Sequence, residues 1–408
     1  MKKLPLALAA ILSAFALLPI SALDFGMTLS NDSTYTHQHD NSLQQIDEAL
    51  AWFSSPIGSN SDLYVSGLYE YKATHETGFS DVKPWRFDAG RVELSGTSPA
   101  LFGPASTLRY SLGRVETGDF SSQVLCGLSD GARLEADVGN VSLFVTGGYR
   151  GLLDKDDAYS FLSAKDAEIN ADDDDYFAPM RAFAGIGAQW TEFAKEHDAG
   201  IEAFGQFDLN KDVSASDKVN TQYFEPYVRG RLSHLLDWEA WGVFGLMETD
   251  SDLDKSAACG ERLVFSLPEK SGLELTESIS WASGDKGSLS TFVPIRRAPI
   301  DTTSYFAFTD ILEAKLDASV SPMDRLALDL GAAAYFRNAD ADPEGDMPLR
   351  SDAAYYRGFE VSASASGKVS SDLSLNASSG LLFPNTASAY ESGTKPRFTA
   401  ELYAAFDL

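Results

Sequence analysis

A period of two governs this chain. From Phe25 onward apolar and polar residues alternate in segment after segment, and residues two apart on an extended strand share a face. The cleanest instance lies at the end, where Phe398, Ala400, Leu402, Ala404, Phe406 and Leu408 alternate with a face carrying Arg397, Thr399, Glu401 and Asp407. Helical periodicity is weak throughout. Residues 46 to 53 also admit one or two helical turns, but the strands around them favour a strand. The fold class is therefore all-β.

Alternating segments can be counted. Leu63, Val65, Gly67 and Tyr69 mark one. Ala132, Leu134, Ala136 and Val138 mark another, and Val141, Leu143, Val145 and Gly147 follow after only Gly139 and Asn140, the signature of a tight hairpin. The pattern predicts about 18 strands, with 16 acceptable, running from 25–36 to 397–408 and including 86–95, 107–116, 131–138 and 303–319. The connections alternate in length: short ones fall at 139–140, near 196, at 233–236 and at 321–323, and long polar ones at 151–179, 210–220, 284–302, 339–354 and 384–396. Short turns on one side and long loops on the other are the habit of a membrane barrel, and a sandwich has no reason to show them.

The opening residues supply a route of export. Lys2 and Lys3 precede an apolar run from Leu4 to Leu18 and then Pro19, Ile20, Ser21 and Ala22, which predicts a cleaved signal peptide over 1–22 and one domain over 23–408. No later segment approaches the roughly 20 apolar residues of a spanning helix. Hydrophobic content of 44% with a mean hydropathy of -0.16 suits a barrel as well as a globule, since only alternate residues would face lipid. The net charge of -28 excludes a nucleic-acid partner, which needs a basic surface. Cys126 and Cys259 either pair or stay as two thiols.

Charge orients the faces. An Arg or Lys turned into lipid at midplane costs roughly 2 to 4 kcal/mol, and acids somewhat less. Arg133, Glu135 and Asp137 are therefore expected to line the lumen, and the same alternation selects Arg150, Arg325, Asp329, Arg337 and Glu360 as pore-lining. Asp172, Asp173, Asp174 and Asp175, inside the longest loop, are candidates for a constriction or for a loop-bound calcium, a hard cation that prefers oxygen ligands. Arg91, Arg109, Arg114, Arg133 and Arg150 would then form an opposing basic wall. Trp190, Trp238, Trp241, Trp281, Tyr403 and Phe406 fall toward strand ends, where aromatic girdles belong.

Other chemistry was sought. His37 and His39 share a side of an extended strand beside Asp40, but no third or fourth ligand is identifiable, so no metal site is assigned. No local motif singles out a Ser, His and acid set, a phosphate loop or a Rossmann glycine pattern. The fragment Gly113-Arg114-Val115-Glu116-Thr117-Gly118 has glycines but sits in a strand context. An enzyme is not expected.

On the leader, the serial amphipathic strands and the final strand with Ala404, Phe406 and Leu408 at alternate positions, the chain resembles the porin-type outer-membrane β-barrel proteins of diderm bacteria. That resemblance implies a transmembrane antiparallel up-and-down barrel in the cell outer membrane, passing small hydrophilic solutes through a polar lumen. It also implies outer-membrane lipids and the barrel-assembly machinery as partners; a homo-oligomer is a further candidate, and no cofactor is expected. The alternative is a plugged barrel serving as adhesin or structural surface protein.

Overall fold

The computed structural model describes residues 23–38, 40–76, 79–101, 103–155, 158, 162–172, 175–211, 218–249, 252–267, 272–285, 288–295, 308–337, 356–385 and 395–408, without the side chains of 76–84. The expected leader, His39, Asp173 and Asp174 lie outside the described residues. One sheet of 18 antiparallel strands closes on itself, since the first strand pairs with both the second and the last.

In chain order the strands are β1 (Asp24–His37), β2 (Asn41–Ile57), β3 (Ser61–Glu76), β4 (Phe79–Pro99), β5 (Ser106–Gly118) and β6 (Cys126–Val138). Then come β7 (Val141–Tyr149), β8 (Arg181–Ala194), β9 (His197–Asp208), β10 (Asn220–Ser233), β11 (Leu236–Glu248) and β12 (Leu253–Leu267). The last are β13 (Leu273–Ala282), β14 (Ile311–Met323), β15 (Leu326–Phe336), β16 (Tyr356–Lys368), β17 (Leu373–Pro384) and β18 (Arg397–Asp407). Every strand neighbours the next in sequence, the up-and-down order that period-two patterning predicts. A single helix is described, α1 (Ala164–Ala171), in the β7–β8 connection. Ser163 and Asp166 form a reciprocal capping box at its start, a short signal that the strand pattern overshadows.

The hydrophobic pattern is inverted relative to a soluble β-protein. Phe224 is 45% exposed while its neighbour Glu225 is 0% exposed, so the apolar residue faces out and the carboxylate faces in. Leu134, Val145, Ile186, Ile201, Phe244, Leu316, Leu330 and Leu402 are exposed in the same way. Two departures interrupt this outer face. On β1 and β2 the Asn31 amide donates to Asp47 at 2.6 Å and Gln45 donates to the other Asp47 oxygen at 2.9 Å. On β12 and β13 Glu261 faces Ile279 and Glu277 faces Leu263, so two acids fall diagonally on the outer side. Each costs up to a few kcal/mol against hydrocarbon, discounted for Asp47 by its amide partners.

Glycines decide where one hairpin leaves the wall. The β4–β5 ladder ends at Val92 and Arg114, and the β6–β7 ladder ends at Asp130 and Tyr149. Beyond those pairs β5 and β6 continue only with each other, to Gly118 and Cys126. Gly113 and Gly131 face one another at the bend. Gly113 has φ +114°, and a Cβ there would strike the Val92 carbonyl, as one at Gly131 would strike that of Gly147.

Candidate functional site

The freed tip of the β5–β6 hairpin turns into the barrel interior and docks on β9 and β10, three and four strands along the wall from β6. Asp119 shapes the tip: its carboxylate accepts from the amides of Gln123 (3.2 Å), Val124 (3.1 Å) and Leu125 (2.5 Å) and from the Ser121 hydroxyl (2.7 Å). Two inward carboxylates then receive its backbone. The Phe120 amide donates to Glu202 on β9 at 3.0 Å, and the Ser121 amide donates to Glu225 on β10 at 2.9 Å. The Phe120 ring stacks on Tyr227 with centroids 3.8 Å apart, and the Arg229 guanidinium lies 5.7 Å from the same ring. Hydrogen bonds plus stacking hold a short segment that has lost its place in the wall.

A second segment joins the first. After β13 the chain turns inward, and Phe292 and Ile295 become fully buried with Phe308 before β14. The Ile295 amide donates to the Val124 carbonyl at 2.9 Å, and the Tyr223 hydroxyl donates to the Val293 carbonyl at 2.5 Å. These residues form one apolar cluster with Leu125, Phe183, Phe204, Tyr223, Val243, Ala282, Ile311 and Tyr335. The main core of the protein thus sits inside the barrel, mostly against β8 to β15 and reaching Leu382 of β17. The connection expected to be a polar external loop over 284–302 contributes its apolar island, Phe292-Val293-Pro294-Ile295, to this core.

The β7–β8 connection packs elsewhere. Arg181, buried at the start of β8, pairs with Asp166 of α1 at 2.5 Å and with Asp208 of β9 at 3.3 Å. Leu153, Ala158 and Ala178 cover Leu128 of the departing hairpin. Asp172, the C-cap of α1, and Asp175 are both exposed, and the Asp172 carbonyl accepts from Lys155. Of the run expected to narrow the lumen, Asp173 and Asp174 lie outside the described residues. Arg181 ties α1, through Asp166, to the start of β8, while the β5–β6 tip enters the interior. Among the described residues no group of three or more His, Cys, Asp or Glu side chains could hold a metal ion.

Most of the remaining residues singled out from sequence fall on the inner face. Arg109 bonds Glu135 at 2.5 Å and Asp137 at 2.7 Å, Arg133 approaches Glu135 at 3.6 Å, and its guanidinium lies 4.0 Å from the Phe144 ring. Asp329 accepts from Ser364 at 2.8 Å, Glu360 is buried beside Tyr335, and Arg337 pairs with Asp310 at 2.7 Å. Arg150 is buried just past β7. Arg325 is not on the wall. It occupies the β14–β15 turn and is exposed, because the strand alternation stops before it. The basic wall is also corrected: Arg91 pairs with Glu93, Arg109 and Arg133 are neutralised as above, and Arg114 sits at the wall's fork, bonded to Asp130 (3.0 Å) and Asp88 (3.2 Å). Of the expected girdle, Trp190 is exposed on the outer face, with Trp238, Trp281 and Phe406 on the same side by alternation. Trp241 packs inward on Phe308, and Tyr403, opposite the inward Asp32, lies inside as well. No disulfide joins Cys126 and Cys259.

What is left of the inner face stays reachable by water. Thr28, Ser30, Asp32 and Thr34 on β1, Gln44 and Glu48 on β2, Ser362, Ser364 and Ser366 on β16, and Asn376, Glu401 and Tyr403 on β17 and β18 are all half-exposed. They form a largely polar wall opposite the internal core, interrupted by Ile46 and Leu50 of β2 and buried toward Glu360, Leu382 and Thr399.

No protein-family model matches the sequence, and no curated protein matches it. Solved structures do. A BenF-like porin from Pseudomonas fluorescens Pf-5 superposes with a TM-score of 0.62 at 10% identity, covering 95% of this chain and 98% of that one. Pseudomonas aeruginosa OccK7 (OpdD) gives 0.58 at 12% identity over 95% and 98%, and Pseudomonas aeruginosa OpdQ gives 0.58 at 9% over 94% and 99%. The chain therefore has the 18-stranded porin-type barrel fold along nearly its whole length.

Proposed function

We propose that this protein is a channel of the bacterial outer membrane for small hydrophilic solutes, which pass along the polar wall formed by β16 to β18 and β1 to β3. The observation that carries the reading is the divided interior. One side is filled by the hairpin tip and the apolar cluster, while the opposite side presents hydroxyls, amides and carboxylates to water. The apolar outer face, with aromatics near strand ends, suits a hydrocarbon layer with surrounding lipid, and β18 is the strand the barrel-assembly machinery would read.

Selectivity follows from the charges left on the open wall. Asp32, Glu48, Asp329 and Glu401 are half-exposed there, with Lys72 as a cation on the neighbouring β3. A ring of carboxylates lowers the barrier for cations and raises it for anions, so the channel is cation-preferring. A fully plugged surface barrel would have no use for such a wall.

Planar-bilayer recording of the refolded chain tests this reading. Discrete conductance steps and a reversal potential displaced toward the cation equilibrium value are expected. A verified folded barrel that gives no steps would overturn the channel.

A further inference from the structure

We propose that the opening left in the wall by the β5–β6 hairpin is a lateral portal, through which a single-chain amphiphile with a cationic head passes between the lumen and the lipid around the barrel. This goes beyond axial passage of hydrophilic solutes and uses a different part of the molecule. The wall is interrupted there in a way found at no other strand pair among the described residues. β4 runs from Val92 to Phe79 with no β5 partner, although β5 continues to Gly118. The interruption opens on the outer side as a cavity of about 330 Å³ lined by Ala89, Val92, Gly113, Arg114, Asp130 and Gly131.

What fills the gap is side chains and loop, not ladder. The β4 edge is capped by Arg114, which donates to the Ala89 carbonyl at 2.7 Å, and by the Tyr176 hydroxyl, 3.4 Å from the Phe87 carbonyl. Arg114 also donates to the Leu152 carbonyl at 3.0 Å, and Arg86 joins Asp154 of the loop to Glu70 of β3, each at 3.0 Å. Side-chain latches of this kind open at far lower cost than a continuous β-ladder. Arg114 lies level with Tyr149 across β6, at the loop end of the strands, which places the gap where lipid headgroups meet chains.

The rim matches an amphiphile. Exposed rings flank the opening on both sides, Tyr69, Trp85 and Phe87 on one lip and Tyr176 and Phe177 with Leu152 on the other. An exposed apolar cluster of this size marks a place where something apolar docks. Behind it stand four carboxylates, Glu70, Asp88, Asp130 and Asp154, against the two guanidinium groups of Arg86 and Arg114. Burial and the Asp88 and Asp154 carboxylates hold the Tyr176 phenol above its ordinary pKa, so it adds no charge. A rim lined by four carboxylates favours a cationic head.

Liposomes containing the refolded full-length chain, loaded with a dansyl-tagged decyltrimethylammonium, provide the test, because a permanently charged probe crosses bare lipid slowly. Protein-dependent transfer of this probe is expected, with slower transfer of a matched dansyl-tagged decylsulfonate. Val92→Trp, which fills the cavity, is expected to slow the ammonium probe roughly tenfold while single-channel ion conductance is unchanged. Arg114→Gln is expected to accelerate it. Probe transfer no faster than in protein-free liposomes, or insensitive to Val92→Trp in a folded barrel, overturns the portal, as does a loss that parallels ion conductance. Sulfonate transfer equal to ammonium transfer overturns the cationic head. Absence of ion conductance in the folded wild type would instead defeat the axial channel.

Discussion

The two halves of the inner wall obey the same alternation and meet opposite fates. On β8 to β15 the inward positions include Phe183, Phe204, Tyr223, Val243, Ile311 and Tyr335, and the inserted segments bury them. On β1 the inward positions read Thr28, Ser30, Asp32 and Thr34, which among the described residues stay half-exposed. Closed barrels remove strand edges but leave an interior that must be either filled or wetted. Here one side is filled by apolar residues meeting apolar residues, and the other is wetted because its side chains are satisfied by water and by each other, as in Ser30 to Glu48 at 3.1 Å. The internal core therefore acts as a wedge that confines passage to one wall.

Removing the wedge should have the largest effect. Replacing residues 119–125 with a two-glycine turn is expected to raise single-channel conductance at least about twofold, since a constriction dominates the resistance of a pore. Unchanged conductance from a barrel that still shows heat-modifiable migration would mean that the tip does not narrow the path. Next comes the anchor of the filled side. Arg181→Met leaves Asp166 and Asp208 buried without their guanidinium, costing roughly 3 to 5 kcal/mol, which guanidinium-induced unfolding in detergent would register. On the open wall, Asp32→Asn with Glu48→Gln should move the reversal potential toward zero by removing two of the carboxylates that favour cations, with little change in unfolding midpoint. The smallest effect lies outside both halves. Asp47→Leu on the outer face should stabilise the barrel by at most about 1 to 2 kcal/mol, since it trades a carboxylate and its amide bonds for an apolar contact with lipid.

Much of this was legible in the sequence, and the limits are physical. Strand order and face follow from a period of two, so the 18 strands and the inward positions of Arg133, Glu135, Asp137, Asp329 and Glu360 could be read directly. Where strands end is less visible: β4 starts at Phe79 and β6 at Cys126, earlier than the alternation suggests, because irregular residues still pair when a neighbour strand guides them. The inserted hairpin escaped because a strand that leaves its sheet keeps its local pattern. Gly113 and Gly131 were its only trace, and a glycine in a strand reads equally well as a bulge. The docking residues Asp119, Phe120, Glu202, Glu225 and Tyr227 were missed for the same reason, since their partners are about 80 to 105 residues apart in the chain. The run Asp172 to Asp175 drew notice by density of charge, yet the residue that fixes its loop is Asp166, which density does not mark.

The most direct test asks which wall carries solute. In a background with Cys126→Ser and Cys259→Ser, single cysteines at Ser30 and Ser364 on the open side and at Thr221 on the filled side would be exposed to a bulky charged methanethiosulfonate during bilayer recording. Passage along the open wall predicts stepwise loss of current at Ser30→Cys and Ser364→Cys and none at Thr221→Cys. Block at Thr221→Cys with none at the other two would contradict it.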